Sequence, residues 1–531
     1  MLLLQVKCCS AYQGDSSVRT LEGREVSNFK TARKISNRLR SQNDPGCLFG
    51  GIFIASFEAV KHFLVAGASG SGKTLTIRLW LESVLPNITP GSRRRMLISN
   101  PKRDVLAILH GIGVKVEVIN LDPFDGSNSY GWSLCEDIRT PAHIEALAHI
   151  LVPQDNSNDT FWRDCVVVLL TGVISYFVKY APNVWTLRDI LLVMENQRFL
   201  SAMLRSDPAF HSYLDVMGSE KTAANIISTI RTKLSRYKVI AALWHQNSLE
   251  GRTISLKRWS QSEAILVLGR NEEAKEAMQA VNQLLLQRLA QILINLPDQS
   301  EERPETYVVL DEFCSIGGRL PLMRELAVEG RSKGVSLFIG FQDYKDVENT
   351  YGDKIAATIT SQFRHKAILR LDSPATARWA ANLVGEIIVE RRQTSTSSSA
   401  WNNVSVTTSW RRSKEEAIIA SQFLAIPPIN KDKGNGLKGF YLTGEHVYWY
   451  TYPLSYLREN LKPKAQDIGG FIERPVEHQY LQMWQKEDNE RLEGISRLFF
   501  PERPANSEIS LPPSVEEFLN SQKKNSDADE V

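Results

Sequence analysis

The run Gly67-Ala68-Ser69-Gly70-Ser71-Gly72-Lys73-Thr74 satisfies the pattern GxxxxGK[ST] at every constrained position. Each residue type there has a chemical reason. Glycines let the backbone approach an anion closely and adopt φ/ψ values closed to other residues. The bared N–H groups, together with the N-terminus of a following helix, attract phosphate oxygens. Lys73 is placed to neutralise β- and γ-phosphates, and the Thr74 hydroxyl is a hard oxygen ligand suited to Mg²⁺. Gly67, Ala68, Ser69, Gly70, Ser71 and Gly72 form the cradle itself, so a nucleoside triphosphate, ATP, is the expected ligand.

Hydrolysis needs an acidic partner at the tip of a buried strand. Tyr307-Val308-Val309-Leu310 is an apolar run ending in Asp311-Glu312. Asp311 is expected to hold Mg²⁺, and Glu312 to orient and deprotonate the attacking water. Gln342 follows the apolar run Val335–Gly340. There a polar side chain either senses the γ-phosphate or caps the strand end. Arg331, in Glu329-Gly330-Arg331-Ser332-Lys333-Gly334, is either a surface arginine in a basic turn or a finger reaching a neighbouring subunit's phosphates.

These residues need a frame to hold them. His62–Ala66, the glycine-rich run and Leu75–Leu85 read as strand, loop and helix. Gly50–Ile54, Met96–Ser99 and Val114–Ile119 are further short strands. From about 141 to 250 the apolar spacing becomes helical, at Ile144–Leu151, Trp162–Lys179, Leu187–Met194 and Thr222–Tyr237. Strand-like segments then return at Ala264–Leu268, Tyr307–Leu310, Val335–Gly340 and His365–Arg370, with helices at 271–294 and 321–330 between them. Continuously apolar, β-branched strands alternating with helices predict a parallel sheet covered on both faces. Residues 393–409, rich in Ser, Thr and Asn, read as a loose loop, and late strands follow at 441–443 and 447–452.

The expected division is a basic N-terminal segment (1–45), a split nucleotide-binding domain (46–140 and 251–460), an inserted all-α domain (141–250), and a C-terminal helical segment with a disordered tail (461–531). The N-terminal segment has room for a helix around Arg33, Lys34, Arg38 and Arg40. The chain has 531 residues and a formal charge of only +3, so contact with nucleic acid must come from local patches. Candidates are Arg93–Arg95, Lys102–Arg103 and Arg391–Arg392. None of the six cysteines falls in a CxxC pair or a metal-ligand rhythm, so free thiols are expected, Cys8 and Cys9 included. No run of some 18–20 consecutive apolar residues is present. The chain is therefore not expected to cross a membrane by itself.

Leu310-Asp311-Glu312-Phe313, Gly330-Arg331, Gly334–Gly340, Gln342 and Tyr351-Gly352 resemble the nucleotide-binding domain of type IV coupling proteins, the ATPases of conjugative DNA transfer and type IV secretion. The resemblance extends to His62–Thr74, to Asn100-Pro101-Lys102 and to Phe161-Trp162, and covers roughly residues 46–390. It implies a RecA-like α/β P-loop domain with a mostly parallel sheet and an inserted all-α domain. It also implies a homo-hexamer that drives single-stranded, sequence-nonspecific DNA, or relaxase-bound DNA, to a secretion channel. Residue by residue it carries over Lys73 and Thr74 for phosphate and Mg²⁺, Asp311 as metal ligand, Glu312 as base, Arg331 as trans finger and Gln342 as sensor. The chain departs from the pattern where members of this family carry N-terminal membrane helices. It also departs at Asn100 and Arg103, where Asp and Gly are usual. The resulting expectation is a cytoplasmic protein, peripheral at the inner membrane through a partner. Competing readings are a DNA pump without a secretion role and a slow, NTP-regulated adaptor that recruits substrates. A P-loop kinase fits less well, because Glu312 beside Asp311 suits water activation.

Overall fold

The computed structural model describes residues 18–24, 26–41, 44–99, 102–153, 160–299, 303–398, 404–430, 432, 434–444, 446–466, 471–493 and 495–499. Cys8, Cys9, Asn100, Pro101 and the polar tail from 502 onward lie outside them.

The short apolar runs become the middle of one ten-stranded sheet. Seven strands are parallel, in the spatial order Val118–Asn120, Ile265–Leu268, Arg95–Ser99, Thr306–Leu310, Val335–Phe341, Phe63–Ala66 and His365–Ile368. Leu437–Thr443 and His446–Tyr452 extend the sheet antiparallel at the His365 edge. The period-two alternation divides each strand between two cores. Phe63, Val65, Ile98, Val309 and Phe338 face one side, and Leu64, Ala66, Leu97, Val308 and Leu337 face the other. Both faces are covered, which explains why the strands lack polar alternation.

The first core is centred on Trp80 of the helix Lys73–Val84. It is 1% exposed and packs against the rings of Phe63, Tyr307 and Phe338. Truncating such a residue costs about 3–5 kcal/mol. It therefore fixes the helix, and with it the loop just before it. The second core runs on without a break into the helices between 141 and 249. Among these, Phe161–Tyr180 is long and apolar enough to cross a membrane by length and composition. Arg163, Asp164 and Lys179 interrupt it, so it is not an unbroken run of 18–20 apolar residues. More than half of its apolar window is buried inside the protein, with Leu169, Leu170, Val173, Ile174 and Phe177 in the core of the helical domain. Its hydrophobicity is used in packing.

The basic N-terminal segment contains a strand, Val18–Gly23, and the helix Phe29–Arg38, which buries Ala32 and Ser36 and exposes Arg33, Lys34 and Arg38. The region expected to be a loose loop at 393–409 differs more. Residues 386–398 and 404–416 are two strands in continuous antiparallel register, from Glu386 opposite Glu416 to Ser398 opposite Val404. Their outer parts are exposed on both sides, so no apolar period marks them. β-branched Thr and Val, and cross-strand pairs such as Arg391–Glu415 (2.9 Å), stabilise the ribbon.

The C-terminal segment runs back across both lobes. Lys464 pairs with Asp104 (2.7 Å), and the Arg474 N–H donates to the Phe124 carbonyl (3.1 Å). Further on, Asp488 pairs with buried Arg188 (2.9 Å), and Arg491 with fully buried Asp189 (2.7 Å). The helical domain is thereby tied to the sheet through a segment distant in sequence.

Candidate active site

The strand Phe63–Ala66 lies between Val335–Phe341 and His365–Ile368, and both neighbours hold the loop that follows it. The Gly67 N–H donates to the Phe341 carbonyl (3.2 Å) and the Ala68 N–H to the Arg370 carbonyl (2.8 Å). Two glycines are required sterically. A Cβ on Gly67 would stand 2.4 Å from Ser71 Oγ. Gly72 has φ of +107°, and its Cβ would stand 2.5 Å from Leu437 Cδ1. Gly72 also opens the helix Lys73–Val84 without a side-chain cap. The first-turn N–H groups are thus left to an external anion.

Lys73 is 7% exposed and curls back over this loop, donating to the carbonyls of Gly67 (2.8 Å) and Ala68 (3.2 Å). Burial lowers its pKa, opposed by Asp311 and Glu312. Thr74 Oγ1 donates to Asp311 Oδ2 at 3.0 Å, joining the loop to the tip of the Thr306–Leu310 strand. Burial raises the Asp311 pKa, while the Thr74 hydroxyl lowers it. The other oxygen, Asp311 Oδ1, is buried and has no hydrogen-bond partner among the described residues. Gly340 leaves it room, since a Cβ there would stand 3.0 Å from it. An orphaned carboxylate oxygen next to a hydroxyl is a hard-oxygen pair, and it fits Mg²⁺.

Glu312 sits in left-handed backbone at φ 55° and ψ 46°, an uncommon conformation for a residue with a Cβ. The turn points its carboxylate along the strand ends. Oε2 accepts from Arg270 Nη1 at 2.6 Å, and Oε1 accepts from Gln342 Nε2 at 3.3 Å. Arg270 is also paired with Glu272. The structure therefore brings Lys73, Thr74, Asp311, Glu312 and Gln342 to one edge of the sheet.

Arg331 is elsewhere. It precedes Val335–Phe341 at the opposite end of that strand, whereas Gln342 follows it. At about 3.3 Å per residue the two ends are roughly 20 Å apart. Arg331 lines a basic recess of about 390 Å³ with Arg24, Lys61, His62, Arg364 and Lys366. It cannot reach its own phosphate loop.

Three contributors were not read as nucleotide-site residues, Lys102 having been expected as a DNA contact. Arg270 holds Glu312. Lys102 stands 3.4 Å from Thr74 Oγ1. Ser99 Oγ accepts the Asp311 N–H at 3.0 Å. All three lie at or just beyond the carboxyl ends of parallel strands, where α/β sheets bind ligands. Strand position was the signal that could have found them.

A family model described as the type IV secretion-system coupling protein DNA-binding domain matches residues 47–431. Coupling protein TraD of Escherichia coli K12 is 22% identical over 351 residues, 65% of this chain and 46% of TraD. The match thus spans less than half of that relative's length. DNA translocase FtsK of Tropheryma whipplei is 34% identical over 87 residues, 16% of this chain and 12% of that protein. Among solved structures, the bacterial conjugative coupling protein TrwBdeltaN70 in its unbound monoclinic form superposes with a TM-score of 0.68 at 18% identity. The superposition covers 86% of this chain and 97% of that one. Plasmid coupling protein TrwB in complex with ADP and Mg²⁺ gives 0.66 at 18% identity, covering 86% and 98%. These likenesses show a shared RecA-like α/β fold.

Proposed function

The chain belongs to the type IV secretion-system coupling protein family, and from that premise we propose that it hydrolyses ATP to drive DNA toward a type IV secretion channel. One observation carries the reading. The phosphate loop and the acidic strand tip are hydrogen-bonded directly, Thr74 to Asp311, while Glu312 beside them is held by both Arg270 and Gln342.

The chemistry follows from those contacts. Lys73 exchanges its bonds to the Gly67 and Ala68 carbonyls for β- and γ-phosphate oxygens, and the uncapped helix end donates its N–H groups. Thr74 and Asp311 would hold Mg²⁺, which when bound would neutralise charge developing on the phosphates. Arg270 and Gln342 fix the Glu312 carboxylate, which accepts the proton of the attacking water. The water oxygen bonds to the γ-phosphorus as its bond to the bridging oxygen breaks, leaving ADP and phosphate. Arg331, at the far edge, acts on a neighbouring copy's nucleotide, which requires a ring; a homo-hexamer meets that need. The TrwB complex with ADP and Mg²⁺ supports the choice of ligand. The relaxase, the channel and a peripheral position at the inner membrane belong to the same reading. The FtsK match favours one alternative, a DNA pump without a secretion role.

Phosphate release measured with and without single- and double-stranded DNA, with particle size followed in parallel, tests the proposal. DNA-stimulated turnover in a ring-sized particle is expected, and Lys73→Ala should abolish it. Wild-type turnover in Lys73→Ala removes the site. Unstimulated turnover with tight relaxase binding replaces the motor by an adaptor.

A further inference from the structure

Between Glu390 and Glu415 the sequence holds no acidic residue, yet Arg391, Arg392, Arg411, Arg412 and Lys414 all fall there. The structure turns this stretch into the outer part of the ribbon formed by 386–398 and 404–416. At the base, Ile387 and Val389 are buried and Val18–Gly23 pairs alongside. Further out, residues 392–396 and 406–412 are all exposed. Two strands without a third and without a buried face are marginal in water. Bare strand edges also invite unwanted pairing. Burial does not account for the side chains this part of the ribbon carries.

Their arrangement is specific. Arg392 is the register partner of Trp410, and Thr394 that of Thr408, the next pair outward on the same face. Arg19, from the neighbouring strand, places its guanidinium 4.8 Å from the centre of the Trp410 ring, which is still 40% exposed. Arg412 and Arg391 are paired with Glu390 and Glu415 at the base. Arg392 and Arg411 have no ion-pair partner among the described residues. The face of Arg392 therefore presents cations beside an indole ring and, further out, paired hydroxyls, while Arg411, the register partner of Arg391, lies on the opposite face.

Single-stranded DNA matches that order. Arginines meet phosphates, an indole stacks on any base, and hydroxyls donate to backbone oxygens without reading sequence. A protein partner matches less well. Among the described residues, exposed large apolar side chains here are limited to Trp410 and Val406, too little for the apolar core of a standard interface. We infer that the outer ribbon, through Arg392 and Trp410 on one face and Arg411 on the other, is an arm that binds single-stranded DNA apart from the nucleotide site. The inference rests on the DNA-moving reading above and assigns a contact surface to it.

The test uses the full chain and a labelled oligothymidylate of about 30 nucleotides, with a duplex of equal length as comparison. Anisotropy is read across a salt series. Arg392→Ala/Arg411→Ala should weaken binding on the order of tenfold and flatten the log–log salt slope by about 1.4, two contacts at about 0.7 each. Trp410→Ala should weaken binding by roughly fivefold or more with the slope unchanged, because stacking releases no counterions. Arg392→Lys/Arg411→Lys should keep the slope. ATP turnover without DNA should stay at the wild-type rate in all variants, which also reports an intact fold. Wild-type affinity and slope in the double alanine variant overturn the arm and leave the motor reading standing. So does a preference for duplex together with full affinity in Trp410→Ala. A wild-type chain that binds neither probe overturns both.

Discussion

Replacing Glu312 by glutamine should remove the proposed base and almost nothing else. The carboxylate accepts from Arg270 at 2.6 Å and from Gln342 at 3.3 Å. A glutamine keeps one acceptor oxygen, so one of those two donors faces an NH₂ group and loses its bond. Both partners are partly exposed, with the Arg270 side chain at 35% and that of Glu312 at 29%. The structural cost should therefore stay below about 1 kcal/mol. The catalytic cost is much larger. An amide cannot take a proton from water, and loss of a general base lowers turnover by about 10²–10⁴-fold. At about 1.36 kcal/mol per decade that is about 2.7–5.4 kcal/mol of barrier. Lys73, Thr74 and Asp311 are untouched, so the affinity for an ATP analogue should stay within about twofold, given that uniform binding is unchanged. Steady-state phosphate release and equilibrium nucleotide binding separate the two effects. Turnover within about threefold of wild type in Glu312→Gln would refute the assignment of the base. A joint fall in binding and turnover would instead make Glu312 a structural residue. Arg270→Ala gives the companion result. As a positioning residue, Arg270 should affect kcat more than KM, and Arg270→Lys should recover part of the loss.

Arg331→Ala should lose DNA-stimulated hydrolysis in assembled particles and leave nucleotide binding by dilute protomers intact; full activity in assembled Arg331→Ala removes the trans role. Arg188→Met should lower stability by about 3–5 kcal/mol in chemical denaturation, because Asp488 loses a partner at 2.9 Å and 1% exposure and the carbonyls of Gln482 and Met483 lose their donor. An unchanged midpoint would show that the C-terminal segment does not secure the helical domain. The acid limb of stability should be set by His62, His245 and His365, which burial holds neutral with pKa values lowered to about 4. The unfolded chain binds those protons from about pH 6.5 downward, so each histidine removes about 1.4 kcal/mol per pH unit as the pH falls from 6.5 toward 4. Asp122, raised to about 6 by burial, acts in the opposite sense, losing stability as the pH rises from 3.8 to about 6. Three groups against one leave a net loss on acidification. A denaturation midpoint at pH 5 equal to or above that at pH 7 would contradict this account.

The sequence alone determined what depends on local order. Gly67–Thr74 must be contiguous to wrap an anion, so the motif is visible in one line of residues. The buried strands are apolar throughout because both faces of the sheet are covered, and that too is a one-dimensional signal. Asp311 and Glu312 were legible because they are adjacent and end such a strand. The tertiary structure decided what depends on strand order. Arg270 and Lys102 reach Glu312 and Thr74 because parallel strands far apart in sequence end at the same edge. Arg331 and Gln342 are eleven positions apart yet at opposite ends of one strand, a separation that only the strand's direction fixes. The ribbon of 386–398 and 404–416 was hidden for a different reason. Solvent on both faces removes the hydrophobic alternation by which a strand is recognised, and only cross-strand register makes it one.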